Sequence, residues 1–182
     1  MIKNILIILI ILIIVCLYIP TRYYKFLPTL PLYPNNKKES EIVLELSSKR
    51  TTSDIYFFKL TDPSVVNSFK PYVNESINEL SKIILSINHI IFFFKYLFNR
   101  ARPNQINKNI KVLMSTTAHT PAFPAGHAMQ AYYLAKILSK KYPDKKNLFN
   151  KLADKCDMVR VKAGIHYPSD GKFSKFVVKY FL

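Results

Sequence analysis

An all-α bundle behind one N-terminal membrane-spanning helix is the fold the sequence predicts, and three observations predict it. Apolar residues recur at helical spacing from Ile77 through Leu80, Ile84, Ile87 and Ile91 to Phe94. Strand-like alternation is confined to one weak stretch, "NIKVLM" at 109–114. The chain opens on an unbroken apolar run from Ile5 to Ile19.

That run is fifteen residues long. At about 1.5 Å per helical residue it reaches roughly 22 Å, short of a ~30 Å hydrocarbon core. Lys3 and Arg22 stand at its two ends, and by snorkelling they extend the span to about twenty residues. A cleaved signal peptide has an apolar region of similar length. No small-x-small cleavage site follows, however, since "LYIPTRYY" is bulky and aromatic. The expectation is an uncleaved anchor over 1–20, with its orientation open because its flanks differ little in positive charge. Four prolines between Pro20 and Lys38, with no periodicity, read as a stiff linker over 21–38.

The remainder, 39–182, reads as one helical domain. "ESEIVLELSSKR" is a short amphipathic segment, and "TTSDIYFFKL" opens with cap-type residues. "TDPSVVNSF" reads as an Asp62 cap with Pro63 at the first helical position. One long helix is expected from Asn74 to Arg100, then a loop from Pro103 to Ala125. The twelve-residue Ile83–Phe94 stretch is too short for a second span and reads as a buried core helix. Helices over Gly126–Tyr142 and Asp144 to about Ala163 are split by Pro143, and Asp170 or Ser169 caps a last helix from Lys172.

Composition narrows the function. With 49% apolar and 14% aromatic residues the chain is no disordered tail, and 182 residues suffice for one well-formed core. It holds two cysteines, and because Cys16 lies in the apolar run, a disulfide-built scaffold is excluded. A formal charge of +16, from 27 Lys+Arg against 11 Asp+Glu, favours anionic partners. Phosphorylated small molecules, acidic lipid headgroups and nucleic acid all qualify on charge alone.

Three stretches carry residues able to do chemistry. In "KYLFNRARP", Lys95 and Arg102 are nearly two helical turns apart, so a continuing helix places both cations on one face. They repel each other unless an anion lies between them or both snorkel to solvent. In "PAGHA", Gly126 sits at a loop-to-helix junction where the first backbone N–H groups make an anion site, with His127 in the first turn. A buried histidine satisfied by a carbonyl is the plainer reading of that pair. In "RVKAGIHYPSD", Pro168 forces Tyr167 to be extended, so His166 and Asp170 meet across a turn. A carboxylate there fixes one imidazole tautomer and leaves the other nitrogen free as a nucleophile or base. A helix-capping Asp beside a surface histidine is the alternative.

Taken together, Lys95-x6-Arg102-Pro103, Pro124-Ala125-Gly126-His127 and Arg160-x5-His166-x3-Asp170 resemble the three signature motifs of the type-2 phosphatidic acid phosphatase and vanadium haloperoxidase superfamily. Order and spacing agree over residues 95–170. The resemblance implies that Lys95, Arg102, Arg160 and the Gly126 amide bind phosphate. His166 would attack phosphorus with Asp170 orienting it, and His127 would protonate the leaving oxygen and later activate water. No metal or other cofactor is implied. Two positions depart from the pattern: Ala125 and Val159 stand where the family has serine. A hydrogen bond to a charged group is worth about 1.5–3 kcal/mol, so each loss lowers the expected activity.

The function expected from the resemblance is a metal-independent phosphatase acting on a phosphomonoester through a phosphohistidine. Its substrate would be a soluble ester or a lipid phosphate, with the anchor holding the site near a bilayer and nucleic acid disfavoured as a partner. Two alternatives accompany it. One is a vanadate-dependent haloperoxidase, with vanadate as cofactor on His166. The other is a catalytically degenerate membrane-tethered protein that binds anions without turnover.

Overall fold

The computed structural model describes residues 33–182. The anchor expected over 1–20, with Cys16, lies outside the described residues. Within them the chain is all-helical, with no strand. Asn35 starts helix α1 (Asn36–Ser48), its side-chain oxygen accepting from the Lys37 and Lys38 amides. The helix therefore begins ahead of Glu39 and takes in the end of the expected linker. Helix α2 (Thr52–Thr61) opens on a capping box between Thr51 and Asp54.

Asp62 does not cap the next helix. It follows α2, and the short α3 (Val66–Phe69) starts after Val65. The run expected as one helix from Asn74 to Arg100 is two, α4 (Ile77–Leu85) and α5 (Asn88–Phe98). A Ser76–Glu79 capping box sets the start of α4. At its end the Ser86 hydroxyl donates to the Ile83 carbonyl, a local bond that competes with helix propagation. The axis bends there by 40°.

Among the described residues no single helix is long and apolar enough to cross a membrane; α4 and residues 88–106 meet that test only as a bent pair. Helix α5 is a core helix on one side only. Ile91 and Lys95 are buried, while Phe92, Phe93, Tyr96 and Leu97 are exposed.

A short α6 (Pro103–Ile106) has proline at its first position. The "NIKVLM" stretch forms no strand. It runs irregularly, tied by the Leu113 amide to the Ala163 carbonyl, and inserts Ile110 beside Val43, Ala122, Val161 and Tyr167. Helices α7 (Gly126–Lys141) and α8 (Lys146–Lys162) follow, and α9 (Pro168–Phe181) starts four residues ahead of Lys172 because Pro168 occupies its first turn.

Helix α7 is the centre, packed on α8 and α9, with α2 on the far side of α8. Ala128, Ala131 and Ala135 on α7, with Ala153 on α8, let these axes approach closely. Leu134, Leu138 and Phe149 fill the remaining space, each fully buried side chain contributing about 1.5–3 kcal/mol. Cys156 is a free buried thiol beside the Ser68 hydroxyl, its pKa pushed up to about 11 by burial.

Candidate active site

Helix α5 ends at Asn99, which adopts a left-handed conformation at φ 41° that an asparagine tolerates. The chain turns there, so Lys95 and Arg102 are not carried on one helix face as a continuous helix would have it. The turn nevertheless buries both; neither snorkels. Lys95 is 5% exposed and Arg102 4%. Lys95 Nζ donates to the Pro121 carbonyl at 2.5 Å. Burial, and then the charge of Arg102, drive its pKa well below the usual lysine value.

Arg102 stands in extended geometry before Pro103, with Nε donating to Thr120 O and Nη1 to Ile165 O. Burial lowers its pKa to about 10, leaving it charged at neutral pH. Nη1 also lies 2.9 Å from His166 Nε2. A guanidinium only donates, so Nε2 accepts and the ring proton sits on Nδ1. Nδ1 in turn donates to Asp170 Oδ2 at 3.0 Å. The expected pairing of His166 with Asp170 is therefore present, across the extended Tyr167 (ψ 157°) and into the first turn of α9. Burial, then the charges of Arg102, Lys95 and Arg160, hold the His166 pKa well below its usual value. The imidazole is neutral, with its Nε2 lone pair accepting from Arg102 at the cavity wall.

Gly126 opens α7 at closest approach to α5. A Cβ there would lie 3.3 Å from Ile91 Cγ2, closer than normal packing, and 3.6 Å from Lys95 Cε, so a side chain would press on Ile91 while only touching the lysine stem. His127 Nε2 is 2.9 Å from the Asp62 carbonyl, which only accepts. Nε2 is thus protonated and Nδ1 carries the lone pair. Burial and then Arg160 lower the His127 pKa to about 3. Gly164, at φ 80°, supplies the left-handed turn between α8 and the His166 segment; a Cβ would meet Ile110 at 2.8 Å.

Lys95, Arg102, Gly126, His127 and His166 line one cavity of about 210 Å³. That is below the ~300 Å³ at which pockets enclose a drug-sized ligand, and it suits a compact anionic group. His119, left unassigned from sequence, lines it too, as do Thr117 and Thr120. Phe92 borders both this cavity and an exposed apolar groove formed with His89, Phe93, Tyr96 and Leu97.

Asp170 stands behind His166. Arg160 is also set back: it does not line the cavity, and its Nη1 donates to Asp62 Oδ1 at 2.6 Å and Nη2 to Thr61 Oγ1. Its buried Nε has no hydrogen-bond partner among the described residues. Ala125 is fully buried among core residues and does not line the cavity either.

Sequence reasoning missed Asp62, Arg100 and Glu39. Asp62 accepts Arg160, the Ser115 hydroxyl and the Thr116 amide on its carboxylate while its carbonyl holds His127. In "TDPS" it reads as a cap, and nothing local announces a partner 98 residues away. Arg100 binds Asp170 from the side opposite His166 and is in turn held by Glu39. Its sequence signal is a third cation beside Arg102. No three His, Cys, Asp or Glu side chains converge as a metal-binding group among the described residues.

A family model described as "PAP2 superfamily" matches residues 79–177, which is more than half of the chain. No curated protein matches it.

Proposed function

The chain belongs to the PAP2 superfamily, whose members are phosphatases in general, and from that premise we propose that it hydrolyses a phosphomonoester through a phosphohistidine on His166. One observation carries the reading: Asp170 holds the proton on Nδ1, so Nε2 of a neutral imidazole is the unprotonated nitrogen, held by Arg102 at the wall of a cavity lined by two buried cations.

A phosphate dianion entering the cavity meets Lys95, Arg102 and the first amides of α7, whose dipole favours negative charge. The dianion draws the Arg102 guanidinium off His166 Nε2, whose freed lone pair attacks phosphorus as the bond to the ester oxygen breaks. Asp170 stabilises the imidazolium as its charge develops. His127, protonated on Nδ1 in the bound state, gives that proton to the leaving oxygen. It then takes a proton from the water that attacks the phosphohistidine, and inorganic phosphate departs. The dianion itself supplies the opposite charge that raises His127 from its low pKa in the free site. Arg160 acts through Asp62, which fixes the ring of His127.

The substrate class follows from the cavity mouth. Phe92 joins the cavity to the apolar groove, which suits a phosphate carrying an apolar tail, and the +16 charge suits an anionic surface. The apolar run at 5–19 would hold the site beside that surface.

The test is hydrolysis of p-nitrophenyl phosphate and of long-chain and short-chain phosphatidate by the full chain in detergent with EDTA present. Turnover that is lost in His166→Ala, with label from ³²P-substrate trapped on His166 after acid-free quenching, is the expected result. Equal rates for wild type and His166→Ala would end the proposal. Equal kcat/KM for long and short chains would remove the lipid assignment alone.

A further inference from the structure

Helix α1 lies ahead of the family-matched segment 79–177, yet it reaches the nucleophile through one side chain. Arg100 is fully buried, and four of its bonds are made at once. Nη1 donates to Asp170 Oδ1 at 2.5 Å and to Ser169 Oγ at 2.7 Å. Nη2 donates to Glu39 Oε2 at 2.7 Å, and Nε to Asn36 Oδ1 at 2.9 Å. Its guanidinium carbon lies 4.1 Å from the Tyr33 ring centre and 3.8 Å from that of Tyr167. Glu39 completes the set by accepting the Ser169 amide and hydroxyl, at 2.8 and 2.6 Å, in the first turn of α9. Two residues of α1 therefore fix the arginine that grips Asp170.

We propose that Glu39 and Arg100 are positioning residues for catalysis, the outer half of a chain Glu39–Arg100–Asp170–His166 that keeps the nucleophile's carboxylate ionised and aimed. The proposal rests on the phosphatase reading of His166 given above. Its physical basis is the isolation of Asp170. This carboxylate is fully buried, and burial alone favours its neutral form. A protonated Asp170 loses its hold on the Nδ1 proton, and the Nε2 lone pair is no longer guaranteed.

The charged and titratable groups around Asp170 come from every neighbouring element: Glu39 from α1, Lys95 from α5, and Arg100 and Arg102 from the turn. Asp157 comes from α8, with His166 and Tyr167 at the start of α9. Burial pushes the Asp170 pKa up to about 6, and Arg100 is the foremost group opposing that rise. Arg100 has a role distinct from Arg102, which points into the cavity. Glu39 gives Arg100 a second carboxylate and sets its direction.

The experiment measures kcat/KM for p-nitrophenyl phosphate against pH with the full chain, in wild type, Arg100→Gln, Arg100→Lys and Glu39→Gln. The acidic limb, which belongs to the His166–Asp170 pair, should move up by about one pH unit or more in Arg100→Gln. Arg100→Lys, which keeps the charge, should return it to within about half a unit. Glu39→Gln should lower kcat about tenfold with KM little changed, since the loss falls on alignment and not on phosphate contacts.

A limb that stays in place in folded Arg100→Gln, or a wild-type kcat in Glu39→Gln, overturns the proposal. Should Arg100→Gln fail to fold, the kcat of Glu39→Gln decides it. Absence of turnover in wild type would sink the phosphatase reading instead. The positioning role is then read from ¹⁵N-histidine NMR: an Nδ1–H tautomer of His166 that is lost in Glu39→Gln or in folded Arg100→Gln supports it, and one retained in every folded variant of the two overturns it.

Discussion

Removing the carboxylate of Asp62 is the sharpest test of how the site is supported. The side chain accepts Arg160 Nη1 at 2.6 Å, the Ser115 hydroxyl at 2.7 Å and the Thr116 amide at 3.1 Å, and Arg160 is 0% exposed. Asp62→Ala leaves a fully buried guanidinium whose other partner is the Thr61 hydroxyl at 3.3 Å. Breaking a buried ion pair from one side costs about 3–5 kcal/mol. For a domain of this size each kcal/mol is worth about 2–4 °C, so the unfolding midpoint should fall by about 6–20 °C. Asp62→Asn, which keeps an acceptor, should lose less.

Circular dichroism melting of the full chain in detergent at pH 7 reads the effect. The double variant Asp62→Ala/Arg160→Met should recover most of the loss, because an apolar pair of similar volume in a buried site is often neutral. Burial works to raise the Asp62 pKa, but the Ser115, Thr116 and Arg160 contacts together hold it below the usual value. A depressed carboxylate contributes stability above its unfolded pKa and loses it as pH falls through the folded one. The gap between wild type and Asp62→Ala should therefore close below about pH 4. A midpoint within about 1 °C of wild type for Asp62→Ala at pH 7 would refute the reasoning.

Two other outcomes follow from the charges at the cavity. His127, lowered to about 3 by burial and Arg160, must gain a proton to act as the leaving-group acid, so its usable fraction falls as pH rises. The kcat/KM advantage of wild type over His127→Gln should decline toward alkaline pH, a ratio in which substrate ionisation cancels; a pH-independent ratio removes His127 from that role. Inorganic phosphate at about a hundred times its Kd should stabilise the fold by about 2.7 kcal/mol, read as a rise in melting midpoint. Lys95→Met should lose at least half of that rise, and an equal rise in both proteins would show that Lys95 does not face the ligand.

Much of the site was legible in the sequence because its residues sit in three short motifs, each fixed by local chemistry. Gly126 and Pro168 announce their turns by residue type, and the helical period from Ile77 to Phe94 announces a packed face. Two breaks in the helix expected from Asn74 to Arg100 were hidden. Ser86 and Asn99 are tolerated within helices, and the bonds that make them ends are a backbone carbonyl and a left-handed turn. The supporting shell was less visible still. Glu39 meets Arg100 across 61 residues and Asp62 meets Arg160 across 98. In a linear reading Asp62 looks like a cap, and Glu39 is one acidic residue at the start of an amphipathic segment.

The buried charges also explain why so basic a chain arranges its few carboxylates as it does. Four cations are buried around the motifs: Lys95, Arg100, Arg102 and Arg160. Arg100 is matched by Glu39 and Asp170, and Arg160 by Asp62. Lys95 and Arg102 have no ion pair among the described residues; their partners are carbonyls and His166. An unmatched buried charge is costly, and a sequence selected for stability alone would pair or replace it. The two unmatched cations are the two that line the cavity, and the two matched ones stand behind its histidines. Carboxylates thus stand with the two cations behind the histidines, and none stands with the two at the cavity. Under the phosphatase proposal, this distribution of acids, more than the cations themselves, marks which side of the site would meet an incoming dianion.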